Sequence, residues 1–373
     1  MAKKLRIGLI FGGRSGEHEV SLVSARSVFN ALDRKKYEVK LIGIDKKGKW
    51  HLSDKDNLKL DSSSSFKSEV NSKTKAITIA DNNITELNTG KKLSEVDVFF
   101  PITHGTFGED GCLQGLMELL NVAYVGSGVL GSAVGMDKDV MKRLFRDAGI
   151  LTARFMVLKK SDLHPHTKII NLLKKNKNNN FGAGVKFPIF AKPANLGSSV
   201  GISKVKNRKE LNVAIKDAFK YDTKIILEEY IKGREIECAV LGNDNPVASR
   251  PGEIKLQSEF YSYDAKYIDA EAATPVPVAN LPKNMIKKIQ ETAIKVFKVL
   301  ECSGMGRVDF FLAPGGKLYA NEINTLPGFT SISMYPKMWE QSGIPYPKLL
   351  DKLIQLAIER KKEKDKLKRN FSC

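Results

Sequence analysis

The sequence predicts an α/β fold with a parallel sheet at its N-terminal end, on three observations. Residues 4–11, KLRIGLIF, form a short apolar run that breaks at Gly12-Gly13. A helix-like stretch from about Ser21 to Leu32 follows, and then a second strand pattern, YEVKLIGI, over 37–44. Strand, helix and strand in that order form a β-α-β opening, which lays the two strands parallel in one sheet. The length, 373 residues, exceeds what one ordinary core accommodates, so two or three domains are expected.

The remaining elements follow in chain order. Residues 53–95 are polar and rich in Ser, Asn and Lys, and read as an elaborated hairpin and loops on the first domain. VDVFFPI (96–102) is a strand that leads directly into a loop carrying His104, Glu109 and Asp110. Residues 137–148 read as a helix, and the Asn- and Lys-rich NLLKKNKNNNFGAG as a surface loop. FPIFAKP (187–193) and KIILEEYI (224–231) are strands. Apolar positions 285, 286, 289, 293, 296, 297 and 300 recur close to a 3.6-residue period, which predicts a helix over about Lys283 to Leu300.

Hydrophobic residues make up 42% of the chain and charged residues 28%, as in soluble globular proteins. No apolar run approaches the roughly 18 residues needed to span a bilayer, and the N-terminal stretch is too short for a signal peptide, so a cytoplasmic protein with no membrane partner is expected. Cys112, Cys238, Cys302 and Cys373 lie far apart, with neither a CxxC pair nor a disulfide framework. The net charge of +19 is spread over the whole chain without a recognisable nucleic-acid module, so no nucleic-acid partner is expected. The basic run Arg360 to Arg369 reads as a solvated helix end or tail.

Three segments carry chemistry. FGGRSGEHEVS (11–21) sits between a strand and a helix, where amides favour anions. Glu17 and Glu19 occupy the place a phosphate would need. Either Glu17 receives a cation such as a substrate ammonium, or both glutamates complement the helix dipole. In AKPANLGSSVGISKV (191–205) a strand ends at Lys192, and a flexible loop then offers backbone amides, Ser198 and Ser199. That combination can fold over a triphosphate with Lys192 neutralising charge. GRVDFFL (306–312) and KLYANEINTLPGFT (317–330) flank the turn Ala313-Pro314-Gly315-Gly316. A two-residue Gly315-Gly316 loop sets Asp309 opposite Glu322 and Arg307 opposite Asn324; a four-residue loop shifts the register by two and keeps all four on one face. Two facing carboxylates and an amide suit Mg²⁺, whose other positions substrate phosphates fill. SEFYSYDAKYIDAEA (258–272) and LEEYIKGREIE (227–237) are ambiguous alone: the first reads equally as a surface loop, the second as an adenine-holding hinge or a solvated strand end.

Taken in order, GGRSGEHEVS, HGTFGEDG, KPANLGSSVG, EFYSYDAKY, GRVDFF and NEINTLPGFTSISMYP resemble the D-alanine–D-alanine ligases, a family of the ATP-grasp superfamily, over nearly the whole chain. The resemblance implies an ATP-grasp fold with an N-terminal Rossmann-like domain over 1–135, a small ATP-grasp domain over 136–232 and a C-terminal domain over 233–373. It implies ATP and two Mg²⁺ (or Mn²⁺) ions as cofactors, two molecules of D-alanine as substrates, and a homodimer.

By the same resemblance, Lys138, Lys192 and Ser199 contact ATP phosphates, Glu228, Glu229 and Tyr230 line the adenine pocket, Glu235 holds the ribose, and Lys266 reaches the γ-phosphate. Asp309, Glu322 and Asn324 bind the metals. Glu17 binds the first D-alanine's ammonium and links through Ser198 to Tyr267, with His104 near that substrate's carboxylate. Arg307 and the Gly328 amide form the oxyanion site, and Ser333 and Met334 receive the second D-alanine's carboxylate. Cys112 stands where relatives more often carry Thr, and the loop near 174–186 is longer than usual and peripheral. A ligase for D-lactate or an L-amino acid, and a non-catalytic nucleotide sensor, are the competing readings. Tyr267 and Glu17 discriminate against the first, and the intact set Arg307, Asp309, Glu322 and Asn324 argues against the second.

Overall fold

A computed structural model describes residues 3–53, 75–162, 186–198, 200–256 and 273–368. Its first sheet holds β1 (Leu5–Gly12), β2 (Tyr37–Ile44), β3 (Trp50–Ser53), β4 (Lys75–Ala80), β5 (Asn83–Glu86), β6 (Lys92–Glu95), β7 (Val98–Pro101) and β8 (Ala123–Tyr124). The order is β6-β5-β4-β3-β2-β1-β7-β8. β1 runs parallel to β2 and β7, and β7 to β8. The expected β-α-β opening is therefore present, with α1 (His18–Ala31) starting three residues earlier than periodicity indicated, directly after Glu17. The described part of the polar stretch 53–95 extends this sheet as antiparallel strands.

The sheet is buried on both sides, as a parallel sheet demands. Ile7, Leu9 and Phe11 pack with α1, whereas Ile10, Ile42 and Phe99 pack with α2 (Cys112–Leu119). At the end of β1 the chain turns at Gly12, whose φ is +84° and where a Cβ would lie 2.2 Å from the Ile44 carbonyl oxygen. Only glycine fits that approach. The buried Ser21 hydroxyl accepts from the Gly12 amide (2.7 Å) and donates to the Ile102 carbonyl (2.6 Å), so one side chain of α1 ties the ends of β1 and β7 together.

After α3 (Val129–Met136) and α4 (Lys138–Asp147), a second sheet holds β9 (Phe155–Lys159), β10 (Ile189–Pro193), β11 (Ser203–Val205) and β12 (Lys224–Glu229). Its order is β11-β10-β12-β9, all antiparallel. One face is covered by α5 (Arg208–Ala218), which Asn207 caps by accepting from the Lys209 and Glu210 amides and which buries Leu211, Ala214, Ile215 and Ala218. That spacing is one apolar stripe of a helix.

The third sheet holds β13 (Arg234–Gly242), β14 (Val247–Ala248), β15 (Gly252–Leu256), β16 (Ala273–Val276), β17 (Gly304–Leu312) and β18 (Leu318–Asn324). It runs β16-β15-β13-β17-β18, with β14 paired to β13. The periodic stretch predicted as a helix is α6 (Lys283–Val299), which buries Ile289, Ala293, Val296 and Phe297 against this sheet. Then come α7 (Met334–Glu340) and α8 (Tyr346–Asp365). Leu349, Leu350, Leu353 and Ile354 of α8 share a core with Ile7, Leu9 and Leu41, so the last helix packs onto the first sheet.

The β17–β18 hairpin has the expected facing by an unexpected route. Arg307 pairs with Asn324 and Asp309 with Glu322. The connection is not a two-residue glycine loop but a 3₁₀ turn, Pro314–Gly316, and the first strand pair is Leu312 with Leu318. Continued unbroken, that register would set Asn321 opposite Asp309 and send Glu322 to the other face. A bulge between Asp309 and Phe310 on one strand and Glu322 and Ala320 on the other leaves Asn321 unpaired and restores the facing. Bulges beside functional sites re-aim side chains in this way.

The basic C-terminal run is, as expected, a largely exposed helix end, but two of its residues are anchored. Arg360 donates to the Tyr124 carbonyl (2.8 Å), the Ser303 hydroxyl (2.6 Å) and the Gly126 carbonyl, and its guanidinium stacks 4.4 Å from the Tyr124 ring centre. Lys364 pairs with Glu118.

Candidate active site

The site lies where the three sheets present their loop ends to one another. From the first sheet come the turn after β1 and the loop after β7. Glu17 stands at the position preceding α1, without a capping bond from its side chain, and is almost buried. Gly105 has φ +74°, and a Cβ there would meet Glu17 Oε2 at 2.7 Å, so the two loops touch. Ser15 donates its hydroxyl to the His104 carbonyl at 2.7 Å.

The second sheet supplies the loop after β10. Ser198, at φ +53°, donates its hydroxyl to Glu17 Oε1. The Gly/Ser loop thus reaches across to the N-terminal carboxylate, as the resemblance implied for these two residues. Gly197 is bracketed by carboxylates: a Cβ there would lie 3.4 Å from Glu17 and 3.8 Å from Glu109. Ser199, Lys266, Tyr267 and the tyrosine-rich segment 258–272 fall outside the described residues, as does the asparagine-rich loop up to residue 185.

The third sheet supplies the charged face of β17 and β18. Arg307 makes two parallel bonds to Asp309, 2.8 Å each, and lies 3.4 Å from Glu237 on β13. Burial works against the guanidinium's charge, but Asp309 and Glu237 outweigh it and raise its pKa further. Asn324 accepts from the Leu326 amide through Oδ1 (3.2 Å). Lys138, the first residue of α4, places its ammonium 3.1 Å from Glu322 and 2.8 Å from the Leu196 carbonyl. Asp309, Glu322 and Asn324 therefore share one face. Each carboxylate already has a cationic neighbour, and the oxygen donors fit a hard divalent cation that phosphate oxygens would complete.

Other expected residues take more specific places. His104 is buried with both ring nitrogens engaged: Nδ1 donates to the Leu326 carbonyl (3.1 Å), and Nε2 faces the Ser24 hydroxyl (3.2 Å). Burial pushes its pKa down against the pull of Glu17, which favours a neutral ring. Its visible role is to clamp the loop after β7 to the loop after β18. Gly328 and Ser333 are adjacent, since a Cβ on Gly328 would meet the Ser333 hydroxyl at 2.8 Å. That hydroxyl accepts from the Thr330 amide at 2.9 Å. Met334 sends its side chain into the core, which leaves only its backbone to face a ligand.

The side chains of the segment Glu228-Glu229-Tyr230 do not all share one face. Alternation along a strand sends consecutive side chains to opposite faces. Glu228 is fully buried between Lys142 and Lys192, while Glu229 turns to Arg154 at 2.7 Å. Tyr230 returns to the face of Glu228, with its ring 6.0 Å from the Phe190 ring and 4.3 Å from the Lys204 ammonium. Glu235, two residues into β13, pairs with Phe311 and Ile254 in register.

Glu109 and Lys142 emerge beside these as residues without an assigned role. Glu109 accepts from the Gly105 amide through Oε1 (2.9 Å), and its buried Oε2 has no hydrogen-bond partner among the described residues. Burial, with the nearby Glu17 charge, pushes its pKa up to about 8. The HGTFGEDG motif flagged its position, but only the approach of Glu17 from another loop gives it that character. Lys142 carries no motif signal, because a lysine in a helix ordinarily reads as surface.

An antiparallel lysine-bearing sheet set against a carboxylate-bearing sheet, with a parallel-sheet domain supplying the acceptor loops, defines an ATP-grasp ligase. The family models for the N-terminus and the C-terminus of D-ala D-ala ligase match residues 6–127 and 144–355. The chain belongs to the D-alanine–D-alanine ligase family. It is 46% identical to the D-alanine–D-alanine ligase of Oceanobacillus iheyensis over 99% of each chain. Among solved structures it resembles the VanG D-Ala:D-Ser ligase from Enterococcus faecalis (TM-score 0.81, 36% identity, 95% of this chain and 100% of that one). It also resembles the D-alanine–D-alanine ligase from Bacillus anthracis complexed with ATP (TM-score 0.70, 29% identity, 97% of this chain and 100% of that one).

Proposed function

We propose that the chain joins two molecules of D-alanine into D-alanyl-D-alanine with hydrolysis of ATP to ADP and phosphate, for peptidoglycan precursor synthesis. The observation that carries this reading is the hydrogen bond from Ser198 to Glu17, which sets the phosphate-covering loop on top of the carboxylate that would hold a substrate ammonium. A pure nucleotide binder needs no such link.

The first D-alanine's ammonium sits at Glu17, and its carboxylate attacks the γ-phosphorus of ATP to form D-alanyl phosphate and ADP. Lys138 and Lys192 neutralise the phosphate oxygens, with Ser199 and Lys266 completing the cover. Asp309, Glu322 and Asn324 hold two Mg²⁺ ions, which supply charge neutralisation at the transferring oxygens when bound. Tyr230 packs against the adenine and Glu235 holds the ribose. The second D-alanine's carboxylate is received by the Ser333 hydroxyl and the Met334 amide. Its neutral amine attacks the acyl carbon, and phosphate leaves from the tetrahedral intermediate.

Arg307 and the Gly328 amide stabilise that intermediate's oxyanion, a contribution of roughly 3 kcal/mol per donor. By the family resemblance, Tyr267 would help to exclude water from the site. The reading carries with it the division at 135/136 and 232/233, a homodimer and a cytoplasmic location. The alternative acceptor is D-serine, favoured by the likeness to the VanG D-Ala:D-Ser ligase.

The test mixes protein, ATP, Mg²⁺ and D-alanine, and follows phosphate release and product. Release should depend on D-alanine, with D-alanyl-D-alanine the main product when D-alanine, D-serine and D-lactate compete at equal concentration. Glu322→Gln should fold normally and lose this release. Nucleotide binding without D-alanine-dependent release would leave only a sensor, and a mixed dipeptide or depsipeptide as main product would reassign the acceptor.

A further inference from the structure

Lys142 lies on α4 with its side chain only 1% exposed. Its ammonium is 3.0 Å from the Asn321 carbonyl, 3.1 Å from the Thr152 hydroxyl and 2.5 Å from Glu228 Oε1. The Thr152 hydroxyl spends its own proton on the Ala320 carbonyl (2.9 Å), so toward Lys142 it can only accept. Two hydrogen-bond acceptors and an ion-paired carboxylate oxygen therefore surround one ammonium. Burial lowers the pKa of Lys142, and the Glu228 charge opposes that.

Glu228 is equally buried, and its second oxygen pairs with Lys192, the lysine at the end of β10 that faces the nucleotide. Two lysines thus share one carboxylate, and the trio carries one net positive charge. Had Glu228 only Lys192 for a partner, a phosphate could recruit that lysine only by stranding a buried carboxylate, which is strongly unfavourable. With Lys142 fixed on its other oxygen, Glu228 stays compensated while Lys192 turns to a phosphate. The Asn321 carbonyl that Lys142 also holds belongs to the bulged residue that turns Glu322 and Asn324 onto the site face.

We infer that Lys142 is a positioning residue for phosphoryl transfer: by neutralising Glu228 from the protein side, it releases Lys192 to engage the nucleotide's phosphates, and it pins the bulge that aims Glu322. It touches no substrate. The inference rests on the proposed nucleotide site, and deepens it by naming what makes Lys192 available.

The test measures the dissociation constant for Mg-ATP by calorimetry and, separately, KM for ATP, KM for D-alanine and kcat, on the full chain. Lys142→Met keeps the side chain's length and removes its charge. It should weaken ATP binding at least 10-fold and raise KM for ATP in parallel, with KM for D-alanine within about twofold of wild type. Lys142→Met combined with Glu228→Gln removes both charges and should recover most of the ATP affinity. A purely structural role would lower the melting temperature without this split between the two substrates. ATP affinity unchanged in Lys142→Met, or a folded double variant no better than the single one, overturns the inference. Should Lys142→Met fail to fold, Lys142→Arg and Glu228→Gln decide it. Arginine should retain ATP affinity within about threefold, and Glu228→Gln, which frees Lys192, should bind ATP at least as tightly as wild type. The opposite result in either overturns the inference. Because binding is measured directly, failure of D-alanine-dependent turnover would count against the ligase reading and leave this result readable.

Discussion

At the scale of the residue, Glu109 shows how position changes chemistry. Its carboxyl is buried beside Glu17, and its pKa stands at about 8, above the ordinary glutamate value. A raised acid pKa means the folded chain holds a proton that the unfolded chain releases, so stability falls as pH rises from about 4.5 through about 8. Glu109→Gln mimics the protonated form. The variant and wild type should therefore unfold at the same urea concentration near pH 4, with the variant increasingly more stable as pH rises toward 9. Parallel stability across that range would show that Glu109 is ionised in the folded protein. The residues proposed to hold metal make the complementary point: Asp309, Glu322 and Asn324 stood out in sequence because such a role needs particular atoms at particular strand positions. Lys142 did not, because a buried lysine is identified by its partners, all of which lie at least ten positions away along the chain.

At the scale of the element, the β-α-β opening was legible because strand and helix periods differ and Gly12-Gly13 mark the turn. What holds the opening closed is less visible. Ser21 is a helix residue whose hydroxyl joins the Gly12 amide to the Ile102 carbonyl, 81 positions further along the chain. Ser21→Ala strands both groups in the core and should cost about 1–3 kcal/mol, read as a lower urea midpoint with an unchanged slope. A loss under 0.5 kcal/mol would mean that water replaces the hydroxyl. The β17–β18 hairpin carries the opposite lesson. The facing of its four polar residues was expected from a two- or four-residue turn, yet the chain uses a 3₁₀ turn and a bulge at Asn321. Two departures from the simple hairpin cancel at the site, and sequence alternation alone does not reveal a bulge.

At the scale of the whole molecule, α8 fastens the C-terminal end of the chain to its beginning. Arg360 reaches carbonyls at Tyr124 and Gly126 and the hydroxyl of Ser303, which joins β8 of the first sheet to the entry of β17 in the third. Arg360→Met keeps the stem and removes the donors. It should destabilise the protein by about 1.5–3 kcal/mol and speed amide exchange over the last turns of α8. Exchange confined to wild-type rates there would show that the apolar stripe alone secures the helix. The sheets themselves meet at the site through single side chains: Ser198 to Glu17, and Lys138 to Glu322.

The sequence by itself determined the family, the α/β class, most strand positions and the polar face of the last hairpin, because each follows from local periodicity or from a motif whose chemistry demands fixed residue types. Only the tertiary structure decided that Glu228 sits between two buried lysines, that His104 is a clamp, that Glu109 stands against Glu17 and that Arg360 ties the last helix to the first and third sheets. Those outcomes depend on which charges meet after the sheets assemble. The energy of a buried charge is set by neighbours brought in from distant parts of the chain, which no local pattern records.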